Sequence, residues 1–405
     1  MTQHTASRKS SLSLNLRYMA MQIPYWMGFS ILSSFASVFL LSRHLSDGQI
    51  GVVLAAGNLL AVLLQPLAAS LADRSVRFTL SQFTAILALV MVLTAVLLAF
   101  LPAAASGAIL YAFLYTVLMV LQPLTISLGT FYILRGQPLN FGLARGMGSL
   151  AFAAASALGG WLIDRTGADA VPFMVIACFS LFFFSLFGLP TGRKAVTAGP
   201  EDGACVSSEK PCSLPEFFRS YKRFILLLAG VSLLFTYHNI LNTYLYQIME
   251  PLGGTAGDVG VCLSIAAVCE LPTMFLFAWL YKRFRCSSLM RTAALFFTLK
   301  SLVILLANHI WLINLAQCLQ IFAFALHTAA SVYYTNQVIP PKDQVKGQAL
   351  MTTANTVGGV LGTFLGGQLL LVWGVSNMLL TGTLLSALGT VIVFLSAENR
   401  QTVKK

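Results

Sequence analysis

Residues 18–41 read YMAMQIPYWMGFSILSSFASVFLL, a run without one charged side chain. As an α-helix rising about 1.5 Å per residue it extends about 36 Å, more than the roughly 30 Å of a bilayer's hydrocarbon core. The stretch ahead of it is polar and basic (Arg8, Lys9, Arg17). A run this long after a basic lead is expected to be a permanent membrane span rather than a removable secretory signal.

Working outward, runs of similar length and polarity recur at 48–71, 78–101, 105–133, 141–163 and 170–190. They resume at 224–248, 257–281, 288–307, 310–338, 347–373 and 376–396. The expectation is therefore an all-α membrane protein with twelve transmembrane helices. Composition agrees: 57% of the 405 residues are hydrophobic and 9% charged, with mean hydropathy +0.81. A soluble domain carries about 25% charged residues, so this chain needs lipid as its solvent.

The segment 191–223 is the one stretch long and polar enough to link two domains. It divides the chain into a six-helix bundle at 1–190, a cytoplasmic linker and a second bundle at 224–405. Of the 25 Lys and Arg residues, 21 fall on one side of the predicted membrane, and Arg43 and Arg165 fall on the other. Arg145 and Lys300 lie within spans. By the positive-inside rule both termini are cytoplasmic. The net charge of +12 is spread through these short clusters, which argues against nucleic acid as a partner. The seven cysteines are scattered, four of them inside apolar runs (Cys178, Cys262, Cys269, Cys318). Cys286 sits beside a run, and Cys205 and Cys212 share the polar loop without a second pair at metal spacing. They read as small apolar or incidental residues.

The halves repeat each other. Gly159-Gly160 closes the fifth span and Gly366-Gly367 the eleventh, each pair followed after seven residues by a glycine, Gly167 or Gly374. Gln65-Pro66 … Arg77-Phe78 likewise matches Leu271-Pro272 … Arg283-Phe284. Parallel duplication of six-helix halves suits a midplane site exposed alternately to the two sides.

The loop Ala69-Ser70-Leu71-Ala72-Asp73-Arg74-Ser75-Val76-Arg77 is similar to the cytoplasmic loop motif of the major facilitator superfamily, with Ala69 and Val76 in place of its glycines. Three further places resemble the lactose-permease-like proton symporters and the related phenylpropionate and nucleoside permeases. They are Asn140–Ser149, with Arg145 ahead of Gly148-Ser149, then Glu270-Leu271-Pro272 on span eight, and His327 on span ten. The acids that lactose permease would have near Ser127 and Ala330 are missing. The resemblance implies two pseudo-repeated bundles and proton-coupled symport, and argues against lactose as the solute.

Glu270 is the one carboxylate deep in an apolar run. A charged residue at a helix centre costs roughly 2.5 to 3.5 kcal/mol on insertion scales, so Glu270 is expected to load and unload a proton. The bland alternative is a permanently protonated glutamate bonded between helices. His327 has a reference pKa near neutrality and joins it as a coupling residue, with Ser331 and Tyr334 at i+4 and i+7. Lys300 is either a coupling partner of Glu270 or a cation snorkelling to the headgroups.

Arg145 is expected to touch substrate or gate the pathway through its planar fork. Further substrate or gating candidates are Tyr25, Trp26, Tyr115 and Gln122, Tyr334 on span ten, and on span seven His238, Asn239 and Asn242, whose i,i+3 and i,i+4 spacing makes one face polar. Each of these serves equally well as an interhelical bond or interfacial aromatic. Asp73, Arg74 and Arg77 form a candidate cytoplasmic gate loop. Gly358, Gly362 and Gly366 on span eleven, and Gly142 and Gly146 on span five, have small-xxx-small spacing that brings helices close.

The chain carries no catalytic triad, metal cluster or Gly-Lys-Ser/Thr phosphate loop. An enzyme, a cofactor or ATP drive is therefore not expected, and the energy source would be a proton gradient. The sequence favours a monomeric cell-membrane transporter importing a sugar, nucleoside or aromatic acid with a proton. Drug/proton antiport is the second choice, although span five lacks the expected proline. A non-transporting receptor or scaffold is the third.

Overall fold

The computed structural model describes residues 2–74, 78–101, 103–135, 137, 139–189 and 213–398, with side chains from 13 onward and not at 69 or 72–74. Among these residues every regular element is helical. Ten helices are long and apolar enough to cross a membrane, or eleven when Ser13–Ser34 and Ala36–Ser42, bent by 52°, count as one span.

At the C-terminus the expected spans 347–373 and 376–396 follow one another as two helices within the 53-residue run Gln344–Ser396. Gly374 interrupts it with φ 74° and ψ 179°, where the two expected spans meet. A single glycine takes this left-handed conformation without steric cost, so no loop separates the two helices. Gly167, its counterpart in the internal repeat, ends Phe141–Thr166 with φ 86° and ψ 169°. The sequence repeat is thus also a backbone repeat.

Large apolar side chains remain on the outside, among them Leu63, Phe184 and Leu395 at 61, 68 and 76% exposure. Patches of this kind on a soluble monomer would aggregate; here they match lipid.

The chain forms two compact units, Met1–Lys194 with Met249–Val268, and Ala195–Ile248 with Cys269–Lys405. In the first, span one packs on span five (Phe141–Thr166) through small contacts. Ser30 and Ser156 hydroxyls are 2.6 Å apart, and a side chain at Gly148 would collide with the Trp26 ring. The start of span eight, Ala256–Arg283, lies against span five within the same unit. Ser264 donates to the Ala153 carbonyl at 2.6 Å. The Asp164 carboxylate accepts from Gly257 N at 2.9 Å and from the Thr255 hydroxyl at 2.8 Å.

In the second unit, span seven (Lys222–Thr243) lies on the first half of Gln344–Ser396. The expected glycine stripe is the contact: at Gly358 and Gly362 an added Cβ would meet the Ser232 and Thr236 carbonyl oxygens, and at Gly366 the Tyr244 ring. Close approach at Gly142 is not observed, because a Cβ there would have only Asn140 Oδ1 near it, at 3.7 Å. Gly142 is the second residue of its helix, ahead of the packed stretch that begins at Gly148.

Span ten is broken. Ile310–Cys318 is α-helical, Leu319–Ile321 is a 3₁₀ turn, and Phe324–Val338 resumes the helix after Ala323 at φ −87°, ψ −95°. Thr273 of span eight donates to the Ile321 carbonyl at 2.7 Å. This satisfies a backbone acceptor that would be costly to leave open in lipid.

Candidate functional site

The expected site residues gather into a polar cluster in each unit. In the second, Lys300 on span nine (Cys286–Leu305) is 1% exposed. Its Nζ donates to Gln320 Oε1 at 2.6 Å, and Gln320 Nε2 donates to Glu270 Oε1 at 3.1 Å. Snorkelling, one of the two roles open to Lys300 in the sequence, is not what the structure shows. The side chain turns inward because Gln320, itself 4% exposed, offers an acceptor inside the unit. Gln320 sits on the 3₁₀ turn of span ten, so the helix break delivers the amide to both charged groups.

Two histidines adjoin this chain. His238 lies within electrostatic reach of Lys300 and His327. Its ring stacks on Phe324 with centroids 4.9 Å apart and planes 14° from parallel, and Asn242 Nδ2 is 3.0 Å from its Nε2. With an amide nitrogen as donor, the ring nitrogen accepts. His327 is 1% exposed and packs on Phe235 and Phe297 at 5.0 and 6.3 Å. Asn355 on span eleven stands within hydrogen-bonding reach of the His327 ring.

Not every expected residue joins this group. Asn239 turns its amide back to the Phe235 carbonyl on its own helix at 2.8 Å. Tyr334 is two turns from His327, about 10.5 Å along the axis, and its hydroxyl accepts from Glu398 N at 2.9 Å. It anchors the end of the chain's last described segment.

In the first unit, the Arg145 guanidinium lies 4.0 Å from the centre of the Trp26 ring and donates to the Ser149 hydroxyl at 2.8 Å. Trp26 Nε1 donates to Gln22 Oε1 at 2.9 Å, Gln22 Nε2 to the Tyr18 hydroxyl at 2.9 Å, and that hydroxyl to the Thr125 carbonyl at 3.0 Å. Tyr25 meets Trp26 edge to face at 5.4 Å and donates to the Leu118 carbonyl at 3.3 Å. Tyr115 bonds to Asn58, and Gln122, two turns further along span four, is half-buried. Arg145, Trp26 and Tyr25 therefore come together, whereas Tyr115 and Gln122 line a different helix.

Arg77 lies outside the described residues. Asp73 and Arg74 close the helix Asp47–Arg74, and their side chains lie outside the description. Sequence reasoning passed over Gln22, Gln320 and Asn355. The available signal was an amide in an otherwise apolar run, the same signal that marks Gln122, Asn239 and Asn242.

Residues 18–381 match the model of the MFS_1 like family. The chain belongs to that family. It is 27% identical over 380 residues to the maltose permease of Geobacillus stearothermophilus, covering 92% of each chain. Its fold is similar to that of the nucleoside transporter NupG (TM-score 0.76, 15% identity, 95% of this chain and 98% of that one). A bacterial homologue of the human lysosomal transporter Spinster is also similar (TM-score 0.70, 13% identity, 98% and 99%). At these identities the structural likeness shows the fold alone. Family and fold together make the chain a multi-pass secondary transporter of the major facilitator type.

Proposed function

We propose that this family member imports a small neutral hydroxylated solute, of the sugar class, together with a proton. It acts as a monomer in the cell membrane with both termini cytoplasmic, and draws its energy from the proton gradient. The observation that carries this is the Lys300–Gln320–Glu270 chain inside the second unit. A carboxyl held in a membrane span beside a buried cation is drawn both ways, since burial favours the protonated form and the cation the ionised one. Exchange of that proton between the two sides, with the solute bound, is symport.

The solute class has separate support. Around Lys300 the cluster is built of amides, imidazoles and aromatic rings, which suit hydroxyls and sugar faces, and the maltose permease likeness points the same way. In the first unit Arg145 and Trp26 present a donor fork on an aromatic plate, fit for hydroxyl pairs.

The test is proton uptake by de-energised vesicles on adding maltose and related saccharides, with the native chain and Glu270→Gln. Sugar-induced alkalinisation that vanishes in the variant is the expected result. Sugar uptake without proton movement, or alkalinisation that survives in Glu270→Gln, overturns the coupling assignment.

A further inference from the structure

Gln320 was singled out by nothing in the sequence, yet it is the residue through which three elements meet. Its amide lies between a span-nine cation and a span-eight acid, and its backbone forms the 3₁₀ turn that interrupts span ten. The direction of the two bonds is dictated by chemistry. An ammonium has donors only, so the Gln320 carbonyl must face Lys300 and its NH₂ must face Glu270. Rotating the amide would break both bonds at once.

The turn itself is a built device. Ala323 leaves helical geometry at ψ −95°, and the freed Ile321 carbonyl is caught by Thr273, one turn from Glu270 on span eight. Broken helices persist in membranes where the loosened backbone is satisfied inside the protein, and short 3₁₀ stretches within a helix often mark hinges. The hinge residue here is also the hydrogen-bond donor to the acid.

We propose that Gln320 is a positioning residue for the proton step, coupling the break in span ten to the ionisation of Glu270. This rests on the symport assignment above. With Gln320 engaged, its N–H supports the ionised carboxylate and its carbonyl holds the Lys300 ammonium. When the 319–323 turn rearranges, the carboxylate loses a donor and the ammonium an acceptor together. Glu270 then takes a proton from water on the accessible side, forming an O–H bond, and returns it to water when the amide re-engages. Gln320 itself neither gains nor loses a proton. Among the described residues, titratable groups near Glu270 include Lys300, across Gln320, its neighbour Cys269 and, facing Cys269 from span ten, Cys318. His238 and His327 stand one step beyond Lys300.

The test is an infrared titration of the purified full-length chain in lipid nanodiscs. The protonated-carboxyl stretch belonging to Glu270 is identified as the band lost in Glu270→Gln. Gln320→Met keeps the side-chain length and removes the amide. It is expected to move the midpoint of that band to higher pH by about one unit or more, since a donor to the charged form is gone. Gln320→Glu, which still accepts from Lys300, provides a second variant if the methionine chain folds poorly. It should move the midpoint the same way, because a like charge then faces Glu270. An unmoved midpoint in a folded variant makes Gln320 a packing residue and overturns the proposal. The outcomes separate from those of symport itself. A moved midpoint in a chain whose native form shows no sugar-driven proton uptake ends the sugar–proton symport assignment and leaves the Gln320–Glu270 link. Normal uptake that is lost in Glu270→Gln, with an unmoved midpoint, does the reverse.

Discussion

The Arg145 guanidinium rests 4.0 Å from the Trp26 ring centre while one of its nitrogens donates to Ser149. Stacking on an indole is worth about 0.5 to 2 kcal/mol for a cation, enough to hold the fork in one direction. Trp26 is itself fixed by its bond to Gln22. The orientation of Arg145 is therefore set by a chain of span-one side chains rather than by lipid headgroups. Arg145→Lys keeps the charge and loses the planar fork. We expect the KM for solute to rise about tenfold with a smaller change in maximal rate. A lysine variant with native KM would mean that the guanidinium does not touch the solute.

His327 on span ten and Asn355 on span eleven stand within hydrogen-bonding reach of each other. Asn355→Leu takes that amide away from a buried imidazole, and an unsatisfied buried polar group costs about 1 to 3 kcal/mol. The variant is expected to melt a degree or more lower and to bind the solute about tenfold more weakly. Thermal unfolding with and without sugar measures both. A variant that loses stability and binds normally assigns Asn355 to packing.

Most of the fold was legible because lipid imposes simple rules. Span length, loop charge and the paired glycines 207 residues apart all follow from backbone satisfaction and bilayer thickness, and Gly167 and Gly374 share a left-handed φ. The junction at Gly374 was less legible, since one residue turns the chain where a loop was expected. The site was read halfway. Glu270, His327, Lys300 and Arg145 announced themselves through the cost of charge in lipid. Gln320, Gln22 and Asn355 are neutral, cost little to insert, and give no period or motif. Their roles arise from a helix break and from contacts between helices distant in sequence. Tyr334 misled for the opposite reason: its spacing from His327 was right for a shared face, but the face ends at a bond to Glu398.

The glycine stripe on span eleven predicts a sharp contrast. At Gly362 a methyl group would press on the Thr236 carbonyl and approach Asn239 Cβ at 2.9 Å, whereas at Gly142 the nearest atom is 3.7 Å away. Overpacking of this kind costs about 1 to 3 kcal/mol. Gly362→Ala should lower the melting temperature by several degrees, while Gly142→Ala should stay within about 0.5 kcal/mol of native. Equal melting temperatures for the two variants would show that span eleven is not held against span seven through its glycines.

Asp164 makes a prediction of a different kind. Its carboxylate accepts from Gly257 N and from the Thr255 hydroxyl, at the first turn of Ala256–Arg283, where helical amides have no partner of their own. A negative charge there also meets the positive end of the helix dipole. Loss of such a cap costs about 0.5 to 2 kcal/mol, a factor of roughly 2 to 30 in local opening. Asp258 caps the same turn through Thr255 N at 2.9 Å, so the helix should survive the change. In Asp164→Ala, amide exchange at residues 255–258 is expected to quicken by about tenfold, with residues 270–283 unaffected. Asp164→Asn keeps an acceptor and should lie between the two. Exchange at 255–258 that does not change would mean that Asp258 alone caps the turn, and that Asp164 contributes no local stability to span eight.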